Sequence, residues 1–240
     1  MMSGAMMSGA LTVFRKELRG FFFSPIAYIV ITTFLLLSGW FFFSTFFLYN
    51  QAELRNFFSQ MPIIFAFIVP AVTMRLFSEE LNSGSFELLS TLPITDSGIV
   101  MGKFLAALTF IALMLLPTIA YAFSAARLGD LDWGPVFGGY FGALLLAGAY
   151  AGIGLLASSL TKNQIVAFII GMAFCFMLTI FDRMLFFVPE SVLSVFAYLG
   201  STTHFQNISR GIIDTRDLLY FLSIMFLALY ATTFVLKEKR

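Results

Sequence analysis

An all-α integral membrane protein of six transmembrane helices is the fold class this sequence predicts, and three observations carry it. Of its 240 residues, 60% are hydrophobic and 11% charged, and the mean hydropathy is +0.93. Soluble domains run at about half apolar and a quarter charged, so the balance excludes that class. The apolar residues gather into six long uncharged runs, each near the roughly 20 residues needed to cross a hydrocarbon core of about 30 Å. Each run ends where charge or turn chemistry appears, as at Arg75, "ARLGDLDWGP", "TKNQ" and "FDR".

Composition narrows function as well as fold. A net charge of +1, without a basic run interleaved with aromatics, gives no reason to expect a nucleic-acid partner. One cysteine, Cys175, and one histidine, His204, cannot make a disulfide or a multi-ligand metal site. Cys175 lies in an apolar run and reads as packing, and His204 as a hydrogen-bonded structural residue. No nucleophile with a placed base and no acid/base pair is visible, so no enzymatic activity, catalytic residue or bound cofactor is expected of this chain.

At the N-terminus "MMSGA" stands twice over residues 1–10, which are expected to form a disordered tail ahead of a single transmembrane domain, 11–240. A cleavable signal peptide is not expected, because the basic residues do not precede an apolar region with a small-residue cleavage site. In "LTVFRKELRGFF", Leu11, Phe14, Leu18 and Phe21 or Phe22 recur at helical spacing, with Arg15, Lys16 and Arg19 opposite. That pattern predicts an interfacial amphipathic helix.

The spans are expected at about 25–49, 58–74, 104–126, 135–160, 164–181 and 218–236. With both ends on the cytoplasmic side, that side carries Arg15, Lys16, Arg19, Arg75, Lys103, Lys162, Lys237, Lys239 and Arg240. The other side carries Arg55, Arg127, Arg183, Arg210 and Arg216. The excess favours cytoplasmic termini by the positive-inside rule. No proposed span holds an acidic or basic residue in its interior, which weighs against an ion-coupled carrier. In span four, Gly138, Gly142, Gly148 and Gly152 stand at small-xxx-small spacing, which lets helices approach closely and is read as packing within the subunit rather than a dimer seam. The 32 phenylalanines read as lipid contact and interhelix packing. The segment 182–217 is too long for a turn and predicts short helices folded back on the outer membrane face.

The loop from Met74 to Phe104 is the most informative. Span two runs on as a helix through "RLFSEEL", and Gly84 suits its C-terminal cap. Ser85 is a plausible N-cap of a second, short helix, Glu87 suits its first turn and Pro93 stops it. Phe86, Leu88, Leu89 and Leu92 give that helix an apolar face that needs a cover, either the lipid interface or a protein groove. Thr95 and Asp96 then cap the next helix. The following "DSGIVMGKF" nearly spells a phosphate-binding loop, but Ser97 stands where the first glycine is needed and Phe104 replaces the hydroxyl residue. Lys103 therefore reads as an anchor at the membrane interface, its stem along the helix and its ammonium at water or headgroups.

The arrangement "SEELNSGSFELLSTLPITDSGIVMGKF" resembles the coupling-helix region of type 2 ABC transporter permeases: an acidic pair, Gly, Ser/Thr, Glu-Leu-Leu, small-x-Pro, then Gly-Lys opening span three. "FRKELRGFFFSPIAYI" looks like that family's connecting helix, with Phe14, Arg15, Lys16, Leu18 and Arg19 in it. "GLLASSLTKNQIVAFIIG" is similar to its inner turn between spans four and five, and "STTHFQNISRGIIDTRDLLYFLS" to its external segment before span six. The match runs nearly the whole chain past residue 10, and the subgroup it looks most like is the short gliding-motility-type permeases.

The resemblance implies a membrane-spanning permease subunit of an ATP-binding cassette exporter in the bacterial cytoplasmic membrane. It implies a dimer with a second copy or a homologous permease, and a separate ATP-binding subunit that holds ATP and magnesium. Carried over residue by residue, the docking surface for that subunit is Glu79, Glu80, Gly84, Ser85, Phe86, Glu87, Leu88, Leu89 and Pro93. A membrane transducer that uses the same ATPase for mechanical work is the alternative, and an autonomous channel or carrier a more remote one.

Overall fold

Residues 2–49, 53–90, 94–184 and 199–239 are described by the structure, a computed structural model. They form α1 (Met2–Phe23), α2 (Pro25–Tyr49), α3 (Arg55–Thr73), α4 (Arg75–Ser83), α5 (Ser85–Ser90) and α6 (Asp96–Leu115). A 3₁₀ turn, Leu116–Thr118, leads into α7 (Ile119–Leu128), followed by α8 (Trp133–Leu160), α9 (Gln164–Met184), α10 (Ser201–Ser209) and α11 (Thr215–Glu238). The described residues contain no strand.

The boundaries follow from local chemistry. Pro25 opens α2, where its missing N–H costs nothing and its fixed φ is already helical. Side-chain oxygens of Thr95, Asp132 and Asp214 accept from the first-turn amides of α6, α8 and α11. Pro117 marks the 3₁₀ turn between α6 and α7. The helical backbone of α1 begins at Met2, which differs from the disordered tail expected over 1–10.

Among the described residues, six stretches are long and apolar enough to cross a membrane: Pro25–Ser44, Arg55–Ser83, Asp96–Leu128, Trp133–Leu160, Gln164–Phe181 and Thr215–Glu238. The third starts at Asp96 rather than near 104, because Thr95 caps a helix that the chain then continues without a break into the apolar run. Six crossings return the chain to its starting face. Lys239 Nζ donates to the Ser159 carbonyl at 2.6 Å, tying the end of α11 to the end of α8 there. That side is called the terminal face below, and the opposite side the far face.

The central post is α8, which packs on α3, α4, α6, α9, α10 and α11. Its glycines make this possible. A Cβ on Gly138 would strike the Ile208 carbonyl, and one on Gly142 would lie 3.1 Å from Ile208. Gly148 faces Met225, and a Cβ on Gly152 would come within 3.1 Å of Ala228. All four therefore meet helices of the same chain, the first pair against α10 and the second against α11.

The helix α10 enters the bundle instead of lying on its outer face. Ser201, Thr202, His204, Phe205 and Ile208 are buried. Its C-terminal end sits beside Gly138, while Ser201 at its start hydrogen-bonds Tyr150 of α8 at 2.7 Å. Seven residues separate Ser201 from Ile208, which sets the start of α10 roughly 10 Å deeper than its end. The Tyr150 hydroxyl also hydrogen-bonds the Thr179 hydroxyl at 2.6 Å, and Thr202 donates to the Thr179 carbonyl at 2.9 Å. His204 Nδ1 hydrogen-bonds Asp217 Oδ1, and its ring stacks on Tyr220 at 4.1 Å. The remainder of the expected external helices, 185–198, lies outside the described residues.

Candidate functional site

Between spans two and three the chain makes an elbow, and sequence chemistry explains each bend. Pro70 has no N–H to give the preceding turn, which weakens α3 near its end. The helix stops at Thr73 and α4 begins at Arg75. A new helix start leaves amides without intrahelical partners. The Ser158 hydroxyl, on α8, takes two of them, accepting from Phe77 N at 2.9 Å and Ser78 N at 3.0 Å. It donates in turn to the Met74 carbonyl at 2.7 Å. One hydroxyl from a neighbouring helix thus caps the elbow. Gly154, one turn away on α8, lets Thr73 come so close that any Cβ there would collide with its hydroxyl.

Gly84 ends α4 with φ 70°, a left-handed conformation that suits glycine. The six-residue α5 follows, with Glu87 N–H reaching the Gly84 carbonyl at 3.2 Å and the Ser83 and Ser85 hydroxyls 2.8 Å apart.

Beneath the elbow lies an ionic cluster. Lys103 of α6 is 1% exposed, and its ammonium has three acceptors: Glu17 Oε1 at 2.8 Å, Glu80 Oε1 at 2.9 Å and the Leu76 carbonyl at 2.7 Å. It donates hydrogen bonds to Glu17 and the Leu76 carbonyl and forms an ion pair with Glu80. The ammonium also lies 5.0 Å from the centre of the Phe77 ring. Lys16, more exposed, adds a second cation 3.1 Å from Glu80 and 3.7 Å from Glu17. Partial burial on its own would lower the Lys16 pKa, but Glu80 and then Glu17 raise it above the ordinary 10.5. Two carboxylates and two ammoniums leave the cluster neutral. It opens on a cleft of about 440 Å³ between α1 and α4, lined by Glu17, Arg75, Glu79 and Glu80 among others.

The expected site residues divide between two environments. Glu79 and Glu87 are exposed on the elbow, as is Gly84. Ser85 is half-buried. Glu80 and Phe86 turn inward: Glu80 is held by Lys103 and Lys16, and Phe86, 4% exposed, joins the apolar core. They therefore fasten the elbow to its own chain. The side chains of Leu88 and Leu89, and Pro93 altogether, lie outside what the structure describes.

On α1, Arg15, Lys16 and Arg19 are exposed and Phe14 and Leu18 half-buried; of the expected stripe Phe21 is buried and Leu11 exposed, while Val13, outside it, is buried and Glu17 half-buried. The helix is turned because Gly102 admits its backbone and Lys103 draws in Glu17. Lys103 is not the water-facing anchor expected from the sequence. With the helix starting at Asp96, it stands seven residues, roughly 10 Å, along α6 and needs a counter-ion. Glu17, the lone acid on a basic amphipathic helix, was the available signal. Nothing in the sequence marked Ser158.

Among the described residues, six helices long and apolar enough to cross a membrane, with an elbow between the second and third, define a multi-pass membrane protein. The model of the ABC-2 family transporter proteins matches residues 11–239, so the chain belongs to that family and is the membrane-spanning permease subunit of an ABC transporter. A search of curated proteins returns no match.

Proposed function

We propose that this permease is the dimeric pathway subunit of an exporter, driven by a separate ATP-binding subunit that docks on the elbow. The observation that carries the reading is the elbow itself. It ends in a short helix after a left-handed glycine and bears exposed Glu79 and Glu87. Two exposed carboxylates complement basic groups lining a docking groove. ATP and magnesium belong to the partner, and its closure pushes α5. The continuous path from α5 through α4 to α3 would pass that displacement to span two, with Ser158 carrying it to α8. The surplus of basic residues on the terminal face supports the reading that this face meets the cytoplasm of a bacterial inner membrane. A second copy, or a homologous permease, completes the pathway.

The test is co-purification of the tagged chain from its native membrane in mild detergent, with ATP hydrolysis measured on the complex. Glu79→Lys with Glu87→Lys should lose the ATP-binding subunit while the permease stays folded. Full recovery of a working complex from that double variant would remove the elbow from the docking role.

A further inference from the structure

We infer that Gly102 and Lys103 act as a latch that makes α1, α4 and the first turns of α6 move as one body. A push on the elbow would then reach spans two and three and the amphipathic helix together. Only the source of the push rests on the proposed function; the latch does not.

In the chain α1 is joined to α2 through the single bend residue Ser24, so by connectivity alone it could swing. Its attachment to α6 explains the Gly-Lys pair. A Cβ on Gly102 would lie 2.7 Å from the Ala10 carbonyl and 2.9 Å from Val13 Cβ, so the glycine is what lets α1 come this close. The next residue then fastens it. Lys103 binds Glu17 on α1, and it binds α4 twice, through the Glu80 carboxylate and the Leu76 carbonyl. Two further contacts work in the same direction. Arg75 of α4 lies 4.9 Å from the Phe21 ring centre and donates to Ser24 at 3.2 Å, and Phe21 stacks on Phe110 of α6 at 4.9 Å.

What makes this a latch is the burial of the cation. An exposed lysine that loses one carboxylate finds water in its place, and its helices drift apart gradually. A buried one has no substitute ligand, so with its ligand set intact, parting any one helix strands charge in the interior and is opposed. Lys103 is accordingly a positioning residue, acting through α1 and α4.

The test uses spin-label distances in the full chain, with Cys175→Ala as background, reconstituted in lipid nanodiscs. Labels at Arg19→Cys on α1 and Asn82→Cys on α4, both exposed positions, should give one narrow distance. A second pair, Asn82→Cys and Met101→Cys on α6, reports the other arm. Glu17→Ala should lose the narrow α1–α4 distance and keep the α4–α6 one, a selective release that general destabilisation would not produce. Lys103→Met should lose both, and Glu17→Ala keeps the test open if that variant fails to fold. Narrow α1–α4 distances in Glu17→Ala overturn the latch.

With the ATP-binding subunit present, ATP should shift the distance from Asn82→Cys to Lys162→Cys while leaving the α1–α4 distance unchanged. An α1–α4 distance that changes with ATP also overturns the latch. An absent ATP shift, with the variant results intact, instead overturns the elbow as the driven part and leaves the latch standing.

Discussion

The bundle holds buried polar clusters toward both of its faces, and they are made of different chemistry. Toward the terminal face the groups are ions, Lys103 with Glu17 and Glu80, beside an open cleft. Toward the far face they are mostly hydroxyls, Tyr150 with Thr179 and Ser201, with the His204–Asp217 pair nearby under Tyr220. Ions are expensive in hydrocarbon, and the terminal cluster is placed where its carboxylates stay 13% and 15% exposed. Hydroxyls cost less to bury, so the far cluster can sit at the deep end of α10 with Tyr150 wholly enclosed. The ionic cluster fastens α1, which lies outside the six apolar stretches, and α4, the last turns of the second, to α6. The hydroxyl cluster pins a helix that already lies among the spans. Ion pairs thus hold the elbow and α1 to α6, and hydroxyl hydrogen bonds hold α10 within the bundle.

The sharpest way to break that contrast is Lys103→Met. It leaves two carboxylates facing each other without their buried cation and should cost about 3 kcal/mol in a denaturant-unfolding series. Next in size is Gly138→Ala at the far face, where the new methyl meets the Ile208 carbonyl and backbone has to move. It should cost about 2 kcal/mol and loosen α10, visible as faster thiol labelling of a cysteine placed at Phe205. Tyr150→Phe leaves the Thr179 and Ser201 hydroxyls short of a partner and should cost about 1 to 2 kcal/mol. If it costs as much as Lys103→Met, the distinction between the two clusters fails. Ser158→Ala uncaps α4 and should cost about 1 kcal/mol, with ATP-linked motion of the elbow reduced more than stability.

The spans were legible because bilayer thickness imposes one length on every crossing and charge marks their ends. Caps at Thr95 and Gly84 were legible for the same local reason: side-chain oxygens and left-handed backbone have few alternatives there. The glycines of α8 announced close packing, though only the fold shows that Gly138 and Gly142 serve α10 while Gly148 and Gly152 serve α11. What stayed hidden is pairing over long sequence distance. Lys103 and Glu17 are 86 residues apart, and Ser158 lies 81 from Phe77, so neither periodicity nor spacing connects them. The same limit turned Glu80 and Phe86 from surface to interior. An amphipathic face is readable in a helix, but which neighbour covers it is decided elsewhere in the chain.

The smallest effect separates the exposed member of the ionic cluster from the buried one. Lys16 is 61% exposed in its side chain, so its pairing with Glu80 and Glu17 is screened, and Lys16→Met should cost under about 1 kcal/mol. Its folded pKa is raised above 10.5, so its contribution is fully present below that value and disappears as pH rises through the folded pKa. The stability difference between parent and Lys16→Met should therefore stay flat from about pH 6 to 9 and shrink only in strong alkali. Lys239, at the end of α11, supplies the opposite sign. Partial burial, and then the Lys162 charge, lower its pKa below 10.5, so its protonated form is a small burden that lifts as pH approaches 10.5 from below. Lys162→Met should remove part of that alkaline gain and Lys16→Met part of the alkaline loss. Urea unfolding of both variants across that range reads the two signs directly, and equal slopes would mean that the Lys16 pairing adds nothing to the cluster around Lys103.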